Sequence, residues 1–108
     1  MKNKPNNINN RIMVQKVRTN SSNERWDNRS DGSRVYDIEA NVNVAALKVT
    51  GMDGGNVYRD GAHVAQFNTW EENHLNMTYM GVDAQERNSI NSAVDAFIGE
   101  VKESVLNN

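Results

Sequence analysis

The nine residues Tyr36 to Val44 constrain the fold more than any other part of the chain. Tyr36, Ile38, Ala40, Val42 and Val44 are apolar, and Asp37, Glu39, Asn41 and Asn43 alternate with them. A side-chain period of two belongs to an extended strand, so this segment predicts a strand with one buried and one wet face. Such a strand needs a second layer over its apolar side. The chain supplies one near its C-terminus. Ile90, Ala93, Val94, Phe97, Val101 and Val105 recur at three- and four-residue steps, the spacing of one helical stripe. Asp83 is a good N-cap, and Glu86 three residues on completes a capping-box-like pair. Lys102 sits near the far end, where a cation is favoured. A helix of about 22 residues spans roughly 33 Å, enough to cross several strands about 4.8 Å apart.

Further strand signals flank these two elements. Arg11 to Thr19, with Ile12, Met13, Val14 and Val17, favours extended structure. Beyond Val44 the apolar positions change parity to Leu47 and Val49, which predicts a bulge or bend near Ala45-Ala46. Met52 to Asn56 reads M-D-G-G-N, a turn. Asp60-Gly61 lies between Val57-Tyr58-Arg59 and Ala62-His63-Val64, the setting of a type I′ hairpin. The second arm continues through Phe67 to Trp70, and Glu71 to His74 reads as the next turn. Leu75, Met77 and Tyr79 then alternate with Asn76 and Thr78. Asn20 to Ser33 is dominated by Asn, Ser, Asp and Gly and reads as a long loop.

The expected architecture is therefore α+β: an antiparallel meander sheet of four to five strands packed on one C-terminal α-helix, in two layers. Residues 1–10 are polar and aperiodic and are expected to be a disordered tail; residues 11–108 are expected to form a single domain. At 108 residues, one core is feasible without staples.

Composition removes several function classes. There is no cysteine, hence no disulfide, thiolate nucleophile or thiolate metal site. No apolar run reaches the ~18 residues of a membrane span. Met1 to Asn10 has none of the continuous apolar stretch of a signal peptide, so a cytoplasmic location without membrane association is the expectation. The sequons at Asn20, Asn28 and Asn76 are then incidental.

No site motif emerges. His63, His74, Glu71 and Glu72 fall on a strand and a turn, and a metal needs three or four convergent ligands. Asp27-x-Arg29-x-Asp31-Gly32 echoes a calcium loop, but Arg29 is a cation in a ligand position and the bidentate carboxylate is replaced by Ile38. Gly51, Gly54, Gly55 and Gly61 make no phosphate cradle. The serines lack a G-x-S-x-G setting. No cofactor and no enzymatic activity are expected.

What remains is charge distribution and apolar surface. The net charge is −2, yet residues 1–36 hold eight basic against three acidic side chains, and residues 37–108 hold four against eleven. Arg25, Trp26, Arg29 and Arg34 sit in the presumed long loop, with Lys16 and Arg18 able to extend a basic stripe. Trp26 reads either as a lid folded back on the sheet, the favoured reading, or as a docking side chain. Trp70 reads as a plug at the core edge. One helix covers one sheet face, so Met13, Val17, Val35, Leu47, Val49 and Val64 are expected to leave apolar surface on the other. The leading functional expectation is a non-enzymatic interaction module, binding a protein partner or a second copy of itself. The alternative is nucleic-acid binding through the basic N-terminal third, with Trp26 stacking on a base.

Overall fold

The computed structural model describes residues 14–20, 23–70 and 74–107. Six strands precede one helix: β1 (Gln15–Asn20), β2 (Asn23–Asp27), β3 (Asp37–Ala45), β4 (Lys48–Arg59), β5 (Ala62–Trp70), β6 (His74–Tyr79) and α1 (Ala84–Leu106). The strands form one antiparallel sheet in sequence order, β1-β2-β3-β4-β5-β6. The α+β two-layer meander expected from the sequence is present, with six strands rather than four or five. The expected tail at 1–10 lies outside the described residues, as does the start of the first predicted strand, 11–13.

The alternating segment is β3. Ile38, Ala40 and Val42 are buried while Asp37, Glu39, Asn41 and Asn43 are half-exposed. Helix α1 crosses β3 and β4 and presents Ile90, Val94, Phe97, Val101 and Val105, all buried. These residues and the β3 stripe belong to one core, which also takes in Met52, Val57 and Phe67. Phe67 and Phe97 meet edge to face at 6.3 Å between ring centroids, a favoured aromatic geometry. Asp83 caps the helix by accepting from the Glu86 amide at 2.8 Å. Glu86 does not reach back to complete the box. Its carboxylate instead accepts from the Tyr36 hydroxyl and Arg59, tying the helix start to the sheet.

Two local expectations fail, each for an identifiable reason. The presumed loop at 20–33 contains β2. Its inward positions are Glu24 and Trp26, paired with Val42 and Ala40. With a single apolar residue, the alternation of β2 is invisible in hydropathy and is set by its neighbours. The M-D-G-G-N segment is no turn but the middle of β4, where the register slips between Met52 and Gly55. Gly54 takes a left-handed φ of 58° at this bulge. At Gly55 a Cβ would come within 2.6 Å of the Phe67 ring, so the glycine lets that ring lie against the backbone. The chain reverses instead at Ala46-Leu47, with φ of 55° and 63°. Two left-handed residues between Ala45 and Lys48 are the geometry of a type I′ hairpin, built here without glycine. The Asp60-Gly61 hairpin forms as expected, with φ of 52° and 84°.

Candidate functional site

The face of the sheet away from α1 is mostly polar, with Phe, Tyr or Trp rings only at Tyr58 and Trp70 among the described residues. Register places Arg25, Asn41 and Asp53 side by side on β2, β3 and β4, and Asn56, Gln66 and Thr78 side by side on β4, β5 and β6. The apolar second face expected from the sequence is therefore absent from the described residues. Val64 is buried in the core, carried there by a register slip between Val57 and Tyr58. Val49 packs partly against the core. Val17, Val35 and Leu47 are exposed but scattered over a strand, a loop and a hairpin tip. Met13 lies outside the described residues.

Side-chain amides cross-link this face. Asn23 donates to Asn43 at 2.9 Å, Asn41 to Asp53 at 3.1 Å, Asn56 to Glu39 at 3.1 Å and Asn76 to Asn68 at 3.3 Å. Between β4 and β6 the face dips into a groove of about 390 Å³ over the Gly54-Gly55 bulge. Asp53, Asn56, Gln66, Asn68, Asn76 and Thr78 wall it. At one end, next to Asn56 and Gln66, Tyr58 stacks on His63 with centroids 5.0 Å apart. At the other, beyond Asn68, Trp70 stacks on His74 at 5.4 Å. Trp70 is 46% exposed, an outward-facing ring rather than the core plug expected.

The basic residues of the N-terminal third do not form one stripe. Arg18, Arg25 and Arg29 share the polar face, and Arg18 and Arg25 both donate to Asn41. Arg25 and Arg29 each pair with Glu39, at 2.8 and 3.3 Å. Arg34 is held by Asp37 and by the Asp31 carbonyl. Lys16 is on the helix side, 3.6 Å from Glu24. Trp26 is also on that side, 4% exposed, with its indole N–H donated to Glu24 at 2.9 Å. It is neither a loop lid nor a free platform, but a strand residue inside the core.

Three groups are displaced from their ordinary titration by their immediate neighbours. Burial, then the Glu86 carboxylate, raises the Tyr36 hydroxyl above its ordinary 10.0. The hydrogen bond and charge of Glu86 raise Arg59 further. The amide and hydroxyl of Ser33 lower Asp31, which is a turn constraint. Among the described residues no group of three His, Asp or Glu side chains could hold a metal ion, and no helix is long and apolar enough to cross a membrane.

The two edges of the sheet differ. On β1 the register slips between Lys16 and Arg18, and those two charges flank the bulged Val17. Bulges and charges are the usual guards of an edge. On β6 the register with β5 runs unbroken from Trp70–His74 to Ala65–Tyr79, and the strand H-L-N-M-T-Y has no proline, lysine, arginine or carboxylate. Leu75 is 37% exposed, with Met77 and Tyr79 half-buried on the same face. The Met80 amide donates to the Val64 carbonyl on β5. By the alternation of an antiparallel ladder, the amides and carbonyls of Leu75, Met77 and Tyr79 then point away from β5.

No protein-family model matches the chain, and none of the curated proteins or solved structures matches it significantly.

Proposed function

We propose that this chain is a non-enzymatic interaction module that joins a second copy of itself through β6. The observation that carries this reading is the unguarded edge: an uncharged, unbulged strand in a sheet whose opposite edge is both bulged and charged. Such an edge is a template for another strand. Symmetry then fixes the arrangement. A two-fold axis perpendicular to the sheet makes the paired strands antiparallel and leaves both helices on the same side. Side chains opposite one another must share a face, so β6 pairs in a register of matching parity. Centring on Met77 sets Met77 against its copy and Leu75 against Tyr79 of the copy. About six main-chain hydrogen bonds form there, from the amides that point away from β5. Leu75, Met77 and Tyr79 gain cross-strand apolar partners, each contact contributing roughly 0.2–1 kcal/mol.

Nucleic-acid binding through the basic third has less support. Trp26 is buried, and Lys16, Arg25, Arg29 and Arg34 each have a carboxylate partner. Phosphate contact would have to displace those partners.

Analytical ultracentrifugation tests the reading with wild type and Leu75→Pro. Proline at 75 removes the outward-facing donor and the leucine side chain, both of them groups of the proposed interface, at a position an edge strand tolerates. Wild type should sediment as a dimer at about 100 µM, and Leu75→Pro as a monomer with an unchanged circular dichroism spectrum. A monomeric wild type, or a Leu75→Pro variant that stays dimeric, would overturn the proposal.

A further inference from the structure

The polar face carries chemistry that self-association does not use. Asparagine is disfavoured in strands, yet Asn23, Asn41, Asn43, Asn56, Asn68 and Asn76 all stand on this face. A face shaped by solvation alone has threonine and alternating charges available, which fit a strand at least as well. Amides differ from those alternatives in offering a donor and an acceptor on one neutral group. Among the described residues, Gln66 and Thr78 have no protein partner for their side chains. The Asn68–Asn76 bond leaves the amide of Asn68 and the carbonyl of Asn76 with unused capacity. These four side chains wall one groove, together with the exposed carboxylate of Asp53.

Charge and shape narrow the ligand. The cations of this face are paired with Glu39 or bound to Asn41; Arg18 and Arg29 lie over β1 to β3, and Arg25 reaches the groove only at its rim, where it donates to the Gly54 carbonyl at 3.4 Å while paired with Glu39 at 2.8 Å. No basic side chain walls the groove, and the one cation at its rim, Arg25, is already neutralised by Glu39, so a phosphate backbone finds no unpaired charge there. Instead it combines neutral amides, one carboxylate and an aromatic ring at each end. His63 and Trp70 both lie on β5, on this face, about 20 Å apart along the strand. Hydroxyl groups need paired donors and acceptors, and the C–H faces of pyranose rings need flat aromatic surface.

We infer that the groove between the Tyr58–His63 and Trp70–His74 stacks binds a neutral oligosaccharide, with Gln66, Asn68, Asn76, Thr78 and Asp53 meeting its hydroxyls and Trp70 stacking on a terminal ring. The inference does not depend on the dimer. β6 contributes Asn76 and Thr78 within a single chain, so monomeric Leu75→Pro retains the site.

Isothermal titration calorimetry with maltotetraose, cellotetraose and chitotetraose tests it, with oligothymidylate at low salt as the competing class. Tryptophan emission gives a second readout, because Trp26 is buried and Trp70 alone meets solvent. At least one of the three sugars should bind with little salt dependence and shift the emission. Trp70→Ala should weaken that binding about tenfold or more, and Gln66→Ala, a smaller truncation that leaves the sheet intact, should weaken it as well. Absence of heat with all three sugars would overturn the inference. Binding of oligothymidylate alone, abolished by salt, would overturn it too, as would full retention of sugar binding in both variants.

Discussion

The Ala46-Leu47 hairpin makes a quantitative demand on stability. Both residues hold a left-handed backbone, with φ of 55° and 63°, which costs an L-residue with a Cβ roughly 1–2 kcal/mol. Replacing Ala46 by glycine removes that penalty and loses only an exposed methyl. The greater freedom of glycine in the unfolded chain takes back about 0.5–1 kcal/mol. Ala46→Gly should therefore stabilise by about 1 kcal/mol, or raise Tm by about 4–8 °C for a domain of this size. Leu47→Gly relieves the same strain but gives up packing. Leu47 is 57% exposed, and it lines an apolar depression with Val49, Lys102 and Leu106, itself 67% exposed. Less than half of a full leucine burial, about 1 kcal/mol, is lost there. The two terms nearly cancel, so the Tm of Leu47→Gly should stay close to wild type. Thermal melts followed by circular dichroism read both variants. A fall in Tm for Ala46→Gly would refute the argument, because it requires a right-handed or extended Ala46. A rise for Leu47→Gly equal to that of Ala46→Gly would show that the Leu47 side chain packs on nothing.

Two further outcomes follow from the core and from Tyr36. Phe97→Ala removes a buried ring that meets Phe67 edge to face and should destabilise by about 3–5 kcal/mol in urea unfolding; a midpoint equal to wild type would mean that α1 does not lie on this sheet. Tyr36 has a folded-state pKa above its ordinary 10.0, so its neutral form contributes stability that is complete below pH 10 and lost as pH rises through the folded value. Tyr36→Phe cannot ionise, and its stability should fall less steeply above pH 10 than wild type; parallel alkaline curves for the two proteins would refute the burial of the Tyr36 hydroxyl beside the Glu86 carboxylate.

The parts of the fold that could be read from residues are those where hydropathy alternates strongly. β3 and α1 declared themselves, because Ile38, Val42, Ile90 and Phe97 repeat at the period of their own element. The Asp60-Gly61 turn did so through chemistry, since its two positive φ values suit that pair. β2 did not, because Asn23, Glu24, Arg25 and Asp27 are polar on both faces, and only the flanking β1 and β3 make an extended conformation favourable there. The same tertiary override moved the β3–β4 reversal. Asp53-Gly54-Gly55 has stronger turn propensity than Ala46-Leu47. Turning at the glycines, however, would strand Val49 and Met52 short of Val44 and Val42, which they meet in the observed register. Apolar register thus outweighed local preference by more than the strain now stored at Ala46 and Leu47.

The surfaces were harder to read than the core, and for a related reason. Alternation tells which residues point outward but not which outward residues stand together. Asn56, Gln66 and Thr78 are distant in sequence, and only the β4–β5–β6 register brings them into one row. Trp70 and His74 flank a connection, and their stack exists because they are directly paired across β5 and β6. β6 takes part in both proposed surfaces: its outward amides form the edge, and Asn76 and Thr78 form a wall of the groove. In a β6-paired dimer centred on Met77, Asn76 of one copy faces Thr78 of the other. The two grooves then open onto each other across the two-fold axis, and an oligosaccharide long enough to span both is held by two sites at once. Its affinity should exceed that of a tetrasaccharide by the effective concentration of the second site. Leu75→Pro removes this gain without touching a groove residue. Equal affinities for long and short chains in wild type would therefore separate the two surfaces even if each exists.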